Sequence, residues 1–161
     1  MVVLEYLKSS ALSDWLLISM AGFPTLIALH SVGMAVVVGL SLVVSLRLYD
    51  VIADFDLKLL PRLLDVAIWG FWLNLVTGIG IFITRGPEYV GSFVFLFKML
   101  LVVVSAMILF WLRGALRTSI RVTGDVLVDE QARILSVLAS TLWFGAVVAG
   151  RLIAYLSDLY R

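Results

Sequence analysis

The stretch that decides the fold runs from Pro24 to Leu46 and reads PTLIALHSVGMAVVVGLSLVVSL. It has no acidic or strongly basic residue, and it holds the only histidine of the sequence, His30. A helix needs about 20 apolar residues, at 1.5 Å each, to cross the hydrocarbon core of a bilayer. This stretch has that length, so we predict a membrane-spanning helix with Pro24 in its first turn, where a missing N–H costs nothing.

The composition of the whole chain is typical of a membrane protein. Of the 161 residues, 63% are hydrophobic and 14% are charged, and the mean hydropathy is +1.13. A soluble domain is roughly half apolar, so the excess must face lipid. We predict an all-α, polytopic membrane four-helix bundle that forms a single transmembrane domain. Its spans cover residues 24–46, 66–84, 93–112 and 134–156.

The first 22 residues are predicted to form an interfacial segment along the membrane surface. In this segment apolar residues fall roughly on one helical face, whereas Glu5, Lys8 and Asp14 fall elsewhere, a pattern that suits a boundary between water and lipid. No cleaved signal peptide is expected there, because an acid precedes the first base and no short apolar core follows. The apolar face consists of Leu4, Leu7, Trp15 and Leu16.

Basic residues are more numerous in the connectors between spans one and two and between spans three and four than on the opposite side. The positive-inside rule therefore predicts cytoplasmic connectors and periplasmic termini, in a bacterial inner membrane. The connectors hold Arg47, Lys58, Arg62, Arg113, Arg117, Arg121 and Arg133; the opposite side holds Lys8, Arg85 and Arg161, with Lys98 and Arg151 just inside the spans.

Composition and motif content exclude several chemistries. The chain has no cysteine, which excludes disulfides, thiolate metal sites, iron–sulfur clusters and covalent haem attachment through a C-x-x-C-H motif. The net charge of +1 argues against a nucleic-acid partner. A serine triad, a phosphate-binding loop and an intramembrane zinc or di-iron site all lack the residues they require. The sequence leaves open whether the protein is an enzyme.

Two stripes of small and polar residues predict faces that meet other helices, because lipid offers an imidazole or an amide no partner. On span one, His30 shares a face with small and apolar side chains at helical spacing. On span two, a second stripe begins at Asn74 and ends at Arg85. The first stripe is His30, Gly33, Met34, Val37 and Ser41, and the second is Asn74, Thr77, Gly78, Ile81 and Arg85.

Basic groups gather at the depth of His30, which lies roughly 9 Å inside Pro24. Lys98 enters span three, Arg151 lies near the end of span four, and Arg85 closes span two. A lysine or arginine at a helix centre costs roughly 2.5–3.5 kcal/mol on insertion scales and is usually offset by a carboxylate. None of the predicted spans contains Asp or Glu. We therefore expect an anionic ligand, such as the propionates of haem, a lipid phosphate or a quinone-like ring. Gly78, Met99 and Gly150 lie at about the depth of His30 in their spans.

Structural roles account for the same residues without a ligand. Lys98 and Arg151 can extend their charged ends to the headgroups while their stems stay in the hydrocarbon. His30 can hydrogen-bond Asn74 or Thr77 and do nothing else. A soft Cu(I) site of His30 with methionines is a third interpretation. The methionines in question are Met20, Met34, Met99 and Met107.

Four short runs carry a resemblance to known families: LHSVGM (29–34), TGIGIF (77–82), FKMLLV (97–102) and GRLIAYL (150–156). The chain resembles an uncharacterised bacterial family of small four-helix membrane proteins. More distantly it is similar to copper-resistance-D-type proteins and HemJ-type protoporphyrinogen oxidases, which also pair a histidine in an early helix with a lysine entering the third.

This resemblance implies an inner-membrane bundle that binds haem b, with His30 as the axial ligand and Lys98 and Arg151 near the propionates. The chain departs from it in one respect, because ligation of haem by two histidines needs a second histidine. A single haem would therefore need five-coordinate iron, a methionine such as Met34 or Met99, or a histidine from another subunit.

Two functions of different class compete on these observations. The first is a membrane protein that binds haem or another anionic redox ligand through His30, Lys98, Arg85 and Arg151. The second is a non-catalytic subunit or assembly factor, in a homo-oligomer or larger membrane complex, that packs small residues of span four against its partner. A solute transporter ranks third, because no intramembrane acid supports proton coupling. The small-residue pairs are Gly145 with Ala149 and Ala146 with Gly150.

Overall fold

The computed structural model describes residues 19, 21–52, 55–89 and 91–159, and of residues 85–89, 154 and 156–159 it describes the backbone alone. This part of the chain forms α1 (Gly22–Leu48), α2 (Leu60–Tyr89), α3 (Phe93–Thr123) and α4 (Glu130–Leu159), with one 3₁₀ turn (Leu57–Leu59) before α2. All four helices are long and apolar enough to cross a membrane. The predicted all-α membrane bundle is confirmed. The interfacial segment predicted for residues 1–22 lies almost wholly outside the described residues.

Local sequence explains where the helices begin and end. Pro24 falls in the first turn of α1, as expected. Gly124 ends α3 with a φ of 78°, a left-handed conformation that glycine adopts without steric cost. Asp129 precedes α4, and its carboxylate accepts a hydrogen bond from the Ala132 N–H at 2.8 Å, which satisfies a donor of the first helical turn.

The helices are longer than the predicted spans. The connectors, predicted at 48–65 and 113–133, shrink to residues 49–59 and 124–129, because α2 begins at Leu60 and α3 continues to Thr123. A hydropathy pattern detects only the apolar part of a helix. The charged helical turns that extend past that part are therefore predicted as connectors. Asp65 is consequently a helical residue. It receives hydrogen bonds from Arg113 and Arg117 of α3.

The helices pack mainly as two pairs, α1 with α2 and α3 with α4, with α1 also against α4 and the loosest contact between α2 and α3. This order is that of an up-and-down bundle with short connections. We call the end that carries residues 49–59 and 124–129 the connector end. The opposite end, where α1 begins and α4 ends, is the termini end.

The α1–α2 pair approaches backbone to backbone at Gly33 and Gly70. A Cβ atom added to Gly33 would lie 2.9 Å from both the Gly70 carbonyl oxygen and the Asn74 amide nitrogen. Side chains essentially never tolerate such contacts, so only glycine permits this crossing. The close approach fixes the rotation of α1 against α2 one turn below His30.

The interior of the bundle combines two apolar clusters with buried polar side chains, while the outer surface is apolar. A larger cluster fills the connector half and a smaller one, Val37, Val38, Ala106 and Trp143, fills the middle. Exposed large apolar residues occur on all four helices, as expected for helices that face lipid. The buried polar residues are Ser41, Ser45, Arg47, Asn74, Thr77, Thr84, Ser105, Ser136 and Ser140.

Replacement of Gly33 by alanine is expected to destabilise the bundle, because the new methyl group forces α1 and α2 apart. We expect a loss of roughly 1–3 kcal/mol, the usual cost of overpacking. Thermal unfolding followed by circular dichroism in detergent measures the effect. Gly114→Ala is the matched control: a Cβ there meets nothing within 4 Å, and alanine favours a helix interior over glycine by about 1 kcal/mol. Equal midpoints for the two variants would contradict the proposed close approach.

Candidate functional site

Each of the four helices contributes a basic group or a glycine to one layer near the termini end. Gly78 of α2 lies against His30 of α1: a Cβ on this glycine would be 3.2 Å from the imidazole Cε1. Gly150 of α4 lies in the same way against Lys98 of α3, with 3.4 Å from an added Cβ to the ammonium Nζ. The lysine and the histidine are close enough to interact electrostatically. The structure thus brings these four predicted residues together, and the two glycines leave room for the basic side chains.

His30 is held by the hydroxyl group of Thr77. The imidazole Nδ1 and the Thr77 Oγ1 are 3.0 Å apart. The same hydroxyl lies 2.7 Å from the Leu73 carbonyl oxygen and 3.1 Å from that of Asn74, so its single proton is donated to its own helix. We therefore assign the threonine oxygen as the acceptor of the imidazole N–H. His30 then carries its proton on Nδ1, which leaves the Nε2 lone pair free of that interaction.

Asn74 lies between the histidine and the centre of the bundle. It is 6% exposed. Its side-chain nitrogen contacts the Met34 sulfur at 4.0 Å, whereas the side-chain oxygen has no partner. A buried acceptor without a donor costs about 1–3 kcal/mol. This amide oxygen is therefore an unused hydrogen-bonding position one turn from Thr77.

Lys98 is a half-buried cation that forms no ion pair with the side chains that the structure describes. Among the described residues, the ion pairs all lie toward the connector end, and none includes Lys98. Its ammonium packs instead against Gly150. The charge at the termini end is therefore not neutralised by the protein groups that the structure describes.

The remaining predicted site residues do not join this layer in the same way. Arg151 is exposed, one residue beyond the glycine that faces Lys98. The side chain of Arg85 lies outside the described residues. Met34 packs beside the central apolar cluster, and Met99 is partly exposed on α3. Across the described part of the chain, no group of three or more His, Cys, Asp or Glu side chains could hold a metal ion.

A line of serines on α1 and α4 continues the polar interior toward the connector end; the sequence predicted that Ser41 faces inward, but not that Ser45 and Ser136 do. The hydroxyls of Ser45 and Ser140 are 2.8 Å apart, and Ser140 also lies 3.0 Å from the Ser136 carbonyl. Side chains with a buried, unpartnered N or O atom lie along the same interior: Ser41, Asn74, Arg133 and Trp143. The helical spacing of the serines is visible in the sequence. The sequence does not show which face of each helix turns inward.

The connector end holds an ion cluster that sequence reasoning also missed. Arg113 Nε and Arg117 Nη2 each donate to one carboxylate oxygen of Asp65. The spacing of four residues between the arginines places both on one face of α3. That signal is visible in the sequence, but assigning these residues to connectors hid it.

Comparison of the chain with protein-family models, curated proteins and solved structures finds no match. The resemblance to copper-resistance-D-type and HemJ-type proteins therefore stays a prediction. The geometry around His30 is the basis for any inference about function.

The tautomer of His30 is a direct test of this geometry, because the chain has a single histidine. In protein labelled with ¹⁵N-histidine, at a pH where the ring is neutral, we expect a protonated Nδ1 and an unprotonated Nε2. Thr77→Val removes the acceptor and should shift most of the population to the other tautomer, whereas Thr77→Ser keeps the hydroxyl and should not. A protonated Nε2 in the unsubstituted protein would contradict the assignment.

Proposed function

We propose that this integral membrane protein binds an anionic redox ligand at the termini end of its bundle, with haem b as the first candidate. The observation that carries the proposal is the His30–Thr77 contact beside an uncompensated Lys98. Localisation in a bacterial inner membrane, with periplasmic termini, belongs to the same proposal and is supported by the distribution of basic residues.

The state of His30 suits an axial ligand. Histidines that bind metals almost always donate their second ring N–H to a neighbouring acceptor, which fixes the ring and raises the basicity of the ligating nitrogen. Thr77 provides that acceptor for Nδ1, and Nε2 is left with its lone pair. Bound haem would supply iron for one-electron chemistry. The chain's own contribution is to hold one nitrogen in a fixed orientation.

Lys98 provides the charge that an anionic ligand needs. An ammonium in an environment poor in water forms charge-assisted hydrogen bonds, which are roughly twice as strong as neutral ones. Propionates, a lipid phosphate or the oxygens of a quinone-like ring are all acceptors for it. Arg85 and Arg151, on the helix segments that follow this layer, are proposed as flanking cations.

The side chains available as iron ligands limit how this chain can bind haem. With one histidine in the chain, a second axial histidine must come from another subunit, or the iron is five-coordinate. The methionines are weaker candidates, because the Met34 sulfur already contacts the Asn74 amide and Met99 is partly exposed on α3. Within a single chain, His30 would therefore be the residue that holds the haem iron.

An absorption spectrum tests the proposal. We expect detergent-purified protein from haem-replete cells to show a Soret band that His30→Ala abolishes. Lys98→Gln should weaken haem binding about tenfold, the value of one charge-assisted hydrogen bond, and Lys98→Arg should restore most of it. Ser31→Ala, next to the histidine and exposed, is the control. A colourless protein that also fails to bind added haemin would rule out haem.

The second candidate, a non-catalytic subunit, is favoured by one observation on α1. Ser31, Ala35 and Gly39 are spaced four residues apart and are all exposed, and a Cβ on Gly39 would meet nothing within 4 Å. Such small-residue stripes let membrane helices approach closely. The small residues of α4, predicted to face a partner, pack mainly inside this chain: Ala146 and Ala149 are buried, and Gly145 and Gly150 face Leu101 and Lys98 of α3.

Oligomeric state distinguishes this second candidate. If α1 binds another helix, Gly39→Leu should convert an oligomer or complex to the isolated chain. Gly114→Leu, at an equally open glycine of α3, should leave it unchanged. Light scattering after size-exclusion chromatography and the composition of the purified complex measure the result. A monodisperse monomer without partners in the unsubstituted protein would count against a subunit role.

A further inference from the structure

A cavity of about 620 Å³ opens between α2 and α3 at the connector end. These two helices form the loosest contact of the bundle, which explains why a space is left there. The cavity is lined by Asp65, Ile68, Trp69, Trp72 and Arg113. It thus has a charged side and an aromatic side, and neither belongs to the layer around His30.

The charged side presents the Arg113 guanidinium, and Arg117, which does not line the cavity itself, adds a second guanidinium through its bond to Asp65. Asp65 is 28% exposed, whereas Arg113 and Arg117 are 36% and 49% exposed. Each arginine donates one hydrogen bond to Asp65, through Nε in Arg113 and through Nη2 in Arg117. A guanidinium has five N–H donors, so most of them remain. Two arginines and one aspartate leave a net charge of +1, which matches a phosphodiester.

The depth of the cavity matches the boundary between headgroups and hydrocarbon. Asp65 and Arg113 directly flank the apolar stretches 66–84 and 93–112. Trp69 and Trp72 follow one to two turns deeper on α2 and are exposed. Tryptophan favours this boundary, because its ring is apolar and its N–H is polar. A ligand here therefore meets cations at headgroup level and aromatic rings at the level of the first acyl carbons.

From this arrangement we propose that the cavity is a binding site for an anionic phospholipid. The phosphate lies on Arg113 and Arg117, and an acyl chain passes over Trp69 and Trp72. Asp65 pairs with both guanidinium groups and lowers the net charge of the site to +1. Basic pockets between membrane helices recognise anionic headgroups by the same combination of charge and arginine geometry.

The test uses the full chain, delipidated in detergent and titrated with dioleoylphosphatidylglycerol or dioleoylphosphatidylcholine. Native mass spectrometry gives the fraction of protein that carries a lipid. We expect the unsubstituted protein to prefer the anionic lipid. In the double variant R113Q/R117Q, the ratio of bound anionic lipid to bound phosphatidylcholine should fall about fivefold for each guanidinium removed. Lys58→Gln removes a positive charge at the same end without lining the cavity, and it should leave the preference unchanged.

Asp65→Asn separates a lipid site from a purely structural ion cluster. Both this variant and the double arginine variant break the same ion pairs, so a structural role predicts the same change in both. A lipid site predicts opposite changes, because Asp65→Asn raises the net charge to +2 and should increase the anionic preference severalfold. Equal retention of the two lipids by the unsubstituted protein, or a loss of preference in Asp65→Asn, would overturn the proposal. If the double variant does not fold, Asp65→Asn alone decides.

Discussion

The crossing of α1 and α2 at Gly33 and Gly70 is the contact on which the site depends. Membrane helices gain little from hiding apolar surface from one another, because lipid is equally apolar, so close packing and hydrogen bonds must hold them. Two glycines allow the backbones to meet. The same approach sets the distance between α1 and α2 one turn away, where Nδ1 of His30 reaches the Thr77 hydroxyl at 3.0 Å.

The polar interior follows from the same constraint. Lipid cannot hydrogen-bond a hydroxyl, an amide or an imidazole, so these groups turn toward one another. Most of them succeed, as Ser45 and Ser140 do across α1 and α4. Those that do not, such as the Asn74 oxygen and the Trp143 indole nitrogen, also lie in the interior.

The two ends of the bundle differ in whether a described carboxylate pairs with the basic side chains. At the connector end Asp65 pairs with two arginines, so one of the two positive charges is neutralised within the protein. At the termini end Lys98 packs against a glycine, and none of the ion pairs among the described residues includes it. A charge that the protein leaves unbalanced at low dielectric is most stable when a ligand of opposite sign supplies the balance. The proposed redox ligand and the proposed phospholipid therefore bind at opposite ends of the bundle, the first beside Lys98 and the second beside the arginines paired with Asp65.

The sequence by itself determined the class of protein and the number of helices, because these follow from hydropathy and length. It also predicted that Asn74 and Thr77 face inward, since polar groups avoid lipid. Only the tertiary structure decided that Thr77 rather than the Asn74 side chain holds His30, that Arg151 is exposed and that Asp65 meets the arginines of α3. These outcomes depend on the rotation of each helix about its axis, which close packing between helices fixes and a linear pattern does not contain.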